Sequence, residues 1–287
     1  MSFGDVNSST GRRLACTFNS MDDPNGLREA LRESAADPQL ATLRLQTASA
    51  GAIGLSDAGR SLHVIGHLIG DGRVSGRSTR GNGDDAHVAV GVLAQIAADL
   101  LDASASLLSG TNHYAGAALL RQVVEVEYLT WAFANRKREA SDWLNSTHSE
   151  RMEFFSPSQL RQISDGRFSA SDYRHHCEQG GHPVPKAIPL LDKSDITTAQ
   201  MLLVDLLLRS WRTVDSLIEW VQGRRVHESV PEGLKSTQGM FSRWGTEDPL
   251  YKWSISAPPR RCPKIRSTGQ RSVTVETAQN ITTTAPR

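Results

Sequence analysis

Residues 113–135 decide the fold of this chain, and they read HYAGAALLRQVVEVEYLTWAFAN. Projected at about 100° per residue, the apolar side chains of this stretch occupy almost every direction around a helix. A helix that is apolar on all sides is typically surrounded by other elements. The sequence therefore predicts an all-α fold, a helical bundle around a buried central helix, with a loosely ordered N-terminal arm and C-terminal tail.

The charged residues within this apolar helix are candidates for a binding site. Arg121 and Glu125 are four residues apart and share one face, whereas Glu127 points nearly the opposite way. A charge taken into a core without a partner costs several kcal/mol, so buried charges are expected in pairs. The sequence therefore predicts an Arg121–Glu125 pair and a separate partner for Glu127.

Two long amphipathic helices are predicted on either side of the central one. The first opens at Asp84, where an acidic side chain suits a helix N-terminus, and carries apolar residues at three- and four-residue spacing. The last begins near Ser194 and ends at about Gln222. Within it, Asp205 lies four residues before Arg209, which favours an intrahelical ion pair. Together these helices define a bundle core over residues 84–223.

The ends of the chain have a different composition. Residues 1–83 contain scattered Gly and Ser, with Phe3 and Phe18 as the only aromatic residues before position 81, and they are predicted to be a loosely packed N-terminal arm. Residues 224–257 are predicted to be an irregular segment that packs on the core through its aromatic residues. Residues 258–287 hold six basic residues against one acidic residue, which is typical of a disordered basic tail.

Overall composition restricts the location and the partners of the protein. The chain has 287 residues, with 32 Lys plus Arg against 31 Asp plus Glu, so it has no global field that would attract nucleic acid or a membrane surface. Cys16, Cys177 and Cys262 are odd in number and far apart, which favours a reducing compartment. No apolar run approaches the roughly 20 residues of a membrane helix. We therefore expect a cytoplasmic protein without membrane contact.

A polar segment between residues 173 and 182 gathers most of the reactive side chains. It begins with Tyr173-Arg174-His175-His176-Cys177 and ends with Gly180-Gly181-His182. Histidine transfers protons near neutral pH and arginine stabilises phosphate or oxyanion groups, so His182 and Arg174 are the candidate catalytic residues. Tyr173, His176 and Cys177 are candidate binding residues, together with Arg121 and Glu125. The alternative is that these side chains pack, with Arg174 paired to a carboxylate and the glycines in a tight turn.

Metal and cofactor sites are not expected. Adjacent residues on a helix point about 100° apart, so His175, His176 and Cys177 could not all reach one ion, although two of them could do so together with His182. His63 and His67 are four residues apart, like a metal-binding pair, but Val64 stands where the usual glutamate would follow the first histidine. Solvated histidines are the favoured interpretation.

Several segments resemble those of a group of uncharacterised bacterial all-helical proteins. They are Ala118 to Glu125, Trp131, Trp143, Phe155-Ser156-Pro157 and Tyr173 to Pro183. More distantly, the chain resembles HEPN-type helical domains, many of which are metal-independent endoribonucleases of toxin and phage-defence systems. That resemblance implies an arginine and a histidine as working residues. Arg174 and His182 would carry these roles, with seven residues between them.

Two functional hypotheses follow. The first is a non-catalytic helical module that binds an unknown protein or a small ligand, with a homodimer as one form of such binding. The second is an enzyme that cleaves RNA or modifies nucleotides, using His182 with Arg174 as the phosphate contact. In the second case, the basic tail would supply affinity for RNA.

Overall fold

The computed structural model describes residues 24–256, apart from positions 223, 225 and 227. Regular structure in this part of the chain is helical, which confirms the all-α prediction. The α-helices are α1 (Pro24–Ala36), α2 (Pro38–Leu68), α3 (Asp85–Ser109), α4 (His113–Ala134), α5 (Ala140–Asn145), α6 (His148–Glu150), α7 (Pro157–Gln162), α8 (Ala170–His176), α9 (Ile196–Val221), α10 (Ser229–Glu247) and α11 (Pro249–Ser256). Two π-helices, Arg151–Phe155 and Cys177–Gly181, and a 3-10 helix, Pro185–Leu191, connect them.

The central helix is α4, as the sequence predicts. Leu120, Val124, Tyr128 and Ala132 on α4 are completely shielded from solvent. Helices α3 and α9 pack along α4, and α7, α8 and the second π-helix cover a further side of it. Burial on several sides explains why its apolar residues are not confined to one stripe.

Helices α1 and α2 correct the prediction of a loosely packed arm over residues 1–83. Leu55 and Leu62 of α2 are fully buried, and α2 packs extensively against α3. The prediction is therefore wrong from residue 24 onward, and residues 1–23 lie outside the described part of the chain. The glycines do not mark a loop here, because they lie at the contact between the two helices. A Cβ on Gly59 would lie 2.8 Å from the carbonyl oxygen of Gly91.

The contact at Gly91 yields the first testable prediction. A Cβ on Gly91 would lie 2.6 Å from the backbone nitrogen of His63, and backbone atoms do not move away as a flexible side chain does. Gly91→Ala is therefore expected to lower the free energy of unfolding by about 1–3 kcal/mol, measured by urea denaturation. Gly239→Ala in α10 is the matched control, because nothing lies within 4 Å of its added Cβ.

The control should gain about 0.5–1 kcal/mol, since alanine is a better helix former than glycine. Equal stabilities of the two variants would contradict the close approach of α2 and α3.

The C-terminal part of the fold is also more regular than predicted. Residues 224–257 are not an irregular segment, because α10 and α11 occupy most of that range. The buried residues of α10 recur at three- and four-residue spacing, namely Val230, Leu234, Thr237, Phe241 and Trp244. Helix α10 packs against α2 and α9, and the tail predicted over residues 258–287 lies outside the described residues.

A buried ion pair joins the two ends of the described chain. Arg44 of α2 donates from Nε to Asp248 Oδ2 over 2.7 Å and from Nη2 to Asp248 Oδ1 over 2.8 Å. Asp248 stands between α10 and α11, and Trp244 Nε1 also donates to it over 2.7 Å. Both members of the pair have 0% exposed side chains. The pair therefore fixes α2 against the α10–α11 junction.

One described helix meets the length and composition of a membrane span. It is α3, in which 61% of the most apolar 18-residue window is buried inside the fold. Core helices of globular proteins pass the same test, so this feature is weak evidence for a membrane.

Candidate functional site

The polar segment predicted from the sequence lies on α8 and the π-helix that follows it. Ser169 caps α8 by accepting a hydrogen bond from the backbone of Ser171. The helix does not stop at the two glycines but continues as the π-helix to Gly181. A Cβ on Gly180 would lie 2.5 Å from the backbone nitrogen of Ala118, so Gly180 allows this segment to pack directly on α4. The glycine at 180 serves a close approach rather than a sharp turn.

An arginine on α9 is the centre of the polar contacts in this region. Arg209 donates from Nε to Asp205 Oδ1 over 3.1 Å and from Nη1 to Glu127 Oε2 over 3.1 Å. Its Nη2 donates to both oxygens of Asp172, over 2.8 and 2.9 Å. Only 8% of the Arg209 side chain is exposed. We call Arg209, Glu127, Asp172, Asp205 and His176 the Arg209 cluster.

His176 completes the Arg209 cluster and is buried. Its Nε2 lies 3.4 Å from Arg209 Nη2, 3.5 Å from Asp205 Oδ2 and 3.7 Å from Asp172 Oδ1. The ring therefore faces one cation and two carboxylates, and its hydrogen-bonding role depends on whether Nε2 carries a proton. Because the ring is enclosed, it is placed to hold α8 against α9 rather than to meet a substrate.

The electrostatics of the Arg209 cluster favour the charged forms of Asp172, Asp205 and Arg209. Burial alone would raise the pKa of Asp172, but the neighbouring His176 ring and the charge of Arg209 hold it well below its ordinary value. The pKa of Asp205 is also lowered, because the Arg209 charge outweighs burial. Burial would lower the pKa of Arg209, but the three carboxylates raise it well above its ordinary value. The positive charge of the guanidinium is thus balanced by carboxylates inside the protein, and the group is not placed to bind an anionic substrate.

A second polar group lies beside the cluster and contains three predicted binding residues. Arg121 Nη2 lies 3.1 Å from Glu125 Oε1, which confirms the predicted pair. The Tyr173 hydroxyl donates to the same oxygen over 2.8 Å, and the Arg161 guanidinium lies 4.7 Å from the centre of the Tyr173 ring. Burial and the hydrogen bond to Glu125 raise the pKa of Tyr173. The Arg121–Glu125 pair is partly exposed, so it lies at the edge of the core and not inside it.

The remaining predicted residues, Cys177, Arg174 and His182, lie outside the hydrogen bonds described above. Cys177 is half-buried and is a free thiol. Arg174 and His182, the candidate catalytic pair, both have exposed side chains. His182 follows the π-helix in an extended conformation.

Sequence reasoning missed the convergence on Arg209. It predicted the Asp205–Arg209 pair and a partner for Glu127, and both are confirmed. It did not identify Arg209 as the partner of Glu127, and it did not include Asp172, which lies four residues before His176. That spacing was the one local signal, because it places the carboxylate and the imidazole on the same face of α8.

Comparison with known proteins gives no relative for this fold or this site. No protein-family description matches the chain, and neither a curated protein nor a solved structure is significantly similar to it. The fold and the site thus define an all-α bundle with a buried ionic cluster. The HEPN-type resemblance stays a prediction from the sequence segments.

Proposed function

We propose that this protein is a non-catalytic helical module that binds a protein partner. The observation that carries the proposal is an apolar edge on the 3-10 helix Pro185–Leu191. Ile188 and Leu191 are 63% and 65% exposed, whereas Ala187 and Leu190 are buried. A 3-10 helix has three residues per turn, so Pro185, Ile188 and Leu191 stand on one outward edge.

A further exposed apolar residue follows five positions after Leu191, at the start of α9. Ile196, the first residue of α9, is 58% exposed. We call Pro185, Ile188, Leu191 and Ile196 the 185–196 ridge. Single exposed apolar residues are ordinary, but several large ones within twelve positions form the kind of surface that mediates protein contacts.

The polar contacts described above support a binding role over catalysis. Arg121, Glu125 and Tyr173 bind one another, and His176 is buried among the other members of the Arg209 cluster. A general base or nucleophile must lie within hydrogen-bond reach of a substrate. These side chains instead hold α4, α8 and α9 together.

The ridge can be tested with a double substitution. The full chain would be crosslinked to its partner in the organism that encodes it, and the partner would be identified by mass spectrometry. Ile188→Ser with Leu191→Ser should abolish this capture. Ile53→Ser with Val74→Ser is the matched control, because both residues are exposed apolar side chains elsewhere. The control should retain the partner, and affinity for the purified partner should fall at least about tenfold in the ridge variant.

A partner held equally by the ridge variant would contradict the proposal. If the captured partner is a second copy of the chain, sedimentation equilibrium should show a dimer that the ridge variant does not form.

The exposure of Arg174 and His182 favours one alternative, a HEPN-like endoribonuclease of a toxin or phage-defence system. Both side chains are free to reach a substrate at the surface. In that case the protein should cleave RNA in EDTA, and His182→Ala should lose this activity while keeping its helical circular dichroism. Under the binding proposal, neither the wild-type chain nor the variant cleaves RNA. His148→Ala, at another exposed histidine, is the control.

A further inference from the structure

Two histidines near the C-terminal end of α2 are placed against each other. The Nε2 atoms of His63 and His67 lie 3.0 Å apart, and the ring centres are separated by 4.8 Å. The sequence favoured solvated histidines in a loose arm. The structure instead places both on a 31-residue helix that packs along α3.

The separation of the two nitrogens matches the spacing of neighbouring ligands on a metal ion. Bonds between imidazole nitrogen and a divalent transition metal are about 2.0–2.1 Å long. Two such bonds at a right angle place the nitrogens about 3.0 Å apart, whereas a tetrahedral angle places them about 3.4 Å apart. The observed 3.0 Å therefore fits two adjacent positions of a square or octahedral ion.

The backbone that carries the two histidines is held firmly. The backbone of His63 contacts Gly91 of α3, and Gly66, next to His67, contacts the backbone of Val88. Ligands on a packed helix keep their geometry better than ligands on a loop. The fixed backbone therefore reduces the conformational entropy that is lost when the two rings bind a metal ion.

The two histidines lie near the surface at the end of α2. Helix α2 ends at Leu68, so His67 lies in its last turn. His67 is exposed and His63 is half-buried, so an ion bound by both would face solvent.

We propose that His63 and His67 chelate one divalent transition-metal ion of the nickel and copper class. Imidazole nitrogen is a favoured ligand for these ions. Within the described part of the chain, no group of three or more metal-ligating side chains is present, so His63 and His67 are a two-ligand site. Water, or a donor from another molecule, completes the coordination. The site is independent of the 185–196 ridge.

The test is calorimetric titration of the full chain with nickel chloride, in a buffer that does not bind nickel and with the cysteines kept reduced. One nickel site per chain should be lost in both His63→Gln and His67→Gln. Each substitution removes the chelate, so affinity at this site should fall about 100-fold. His148→Gln, an exposed histidine on α6, should titrate like the wild-type chain.

A second measurement needs no variant. Bound nickel should protect His63 and His67 of the wild-type chain from modification by diethyl pyrocarbonate, located by mass spectrometry, while His148 stays reactive. Unchanged nickel affinity in both variants, loss in only one of them, or equal modification with and without nickel would each overturn the proposal.

Discussion

Arg209→Met is expected to lower the free energy of unfolding by about 3–5 kcal/mol, because it removes one partner of a buried ionic network. Methionine keeps most of the aliphatic volume, so the loss comes mainly from the charges left behind. Glu127 would remain 1% exposed, with Arg212 Nη1 at 3.6 Å as its nearest cation. Asp172 and Asp205 would lose the guanidinium that lowers their pKa values. Urea unfolding followed by circular dichroism measures the change.

The matched control for this prediction is Arg212→Met on the same helix. The Arg212 side chain is 39% exposed, so its removal should cost less than about 1 kcal/mol. Glu127→Gln added to Arg209→Met should recover part of the lost stability, because it neutralises the charge that was left without a partner. Equal losses in the two arginine variants would contradict the central place of Arg209.

Acid provides a second readout of the same cluster. Asp172 and Asp205 have folded-state pKa values below their unfolded ones. Their contribution is therefore present above the unfolded pKa of about 4 and is lost as the pH falls through the lower folded pKa. The stability of the wild-type chain should fall through this acidic range, and that of Arg209→Met should fall less steeply.

Local patterns in the sequence predicted the parts of the fold that depend on neighbouring residues. The all-round apolar pattern of α4 predicted the central helix. Four-residue spacing predicted the ion pairs of Arg121 with Glu125 and of Asp205 with Arg209. Each of these signals lies within one helix, where geometry fixes which side chains meet. The fold class therefore followed from periodicity alone.

Contacts between distant residues could not be predicted in this way. Glycines at 59 and 91 look like loop residues until α2 and α3 are placed together, because each is required by the backbone of the other helix. The meeting of Glu127, Asp172 and Arg209 likewise depends on how three helices pack. The composition of α10 also gave no helix signal, because Pro, Gly and Ser residues lie between the regularly spaced residues that are buried.

Arg44→Met is expected to cost about 3–5 kcal/mol of unfolding free energy, since it leaves a completely buried carboxylate without its cation. Arg44 and Asp248 are 204 positions apart, so the pair holds together elements from opposite ends of the described chain. Arg60→Met on the same helix is the control. Arg60 pairs with Asp57, both are largely exposed, and the expected loss is below about 1 kcal/mol. Thermal and urea unfolding of the two variants compare these values.

A second substitution, at Asp248, tests what causes the loss of stability in Arg44→Met. Its Oδ1 accepts a hydrogen bond from the backbone nitrogen of Leu250 over 2.9 Å, and its Oδ2 accepts one from Trp244 Nε1 over 2.7 Å. The single oxygen of an asparagine can retain one of these two bonds. If the stranded charge causes the loss, Asp248→Asn added to Arg44→Met should restore part of the stability. If the loss reflects only missing attraction and packing, the double variant should be no more stable than Arg44→Met. The first outcome would show that the pair matters mainly because each charge requires the other once α2, α10 and α11 enclose them.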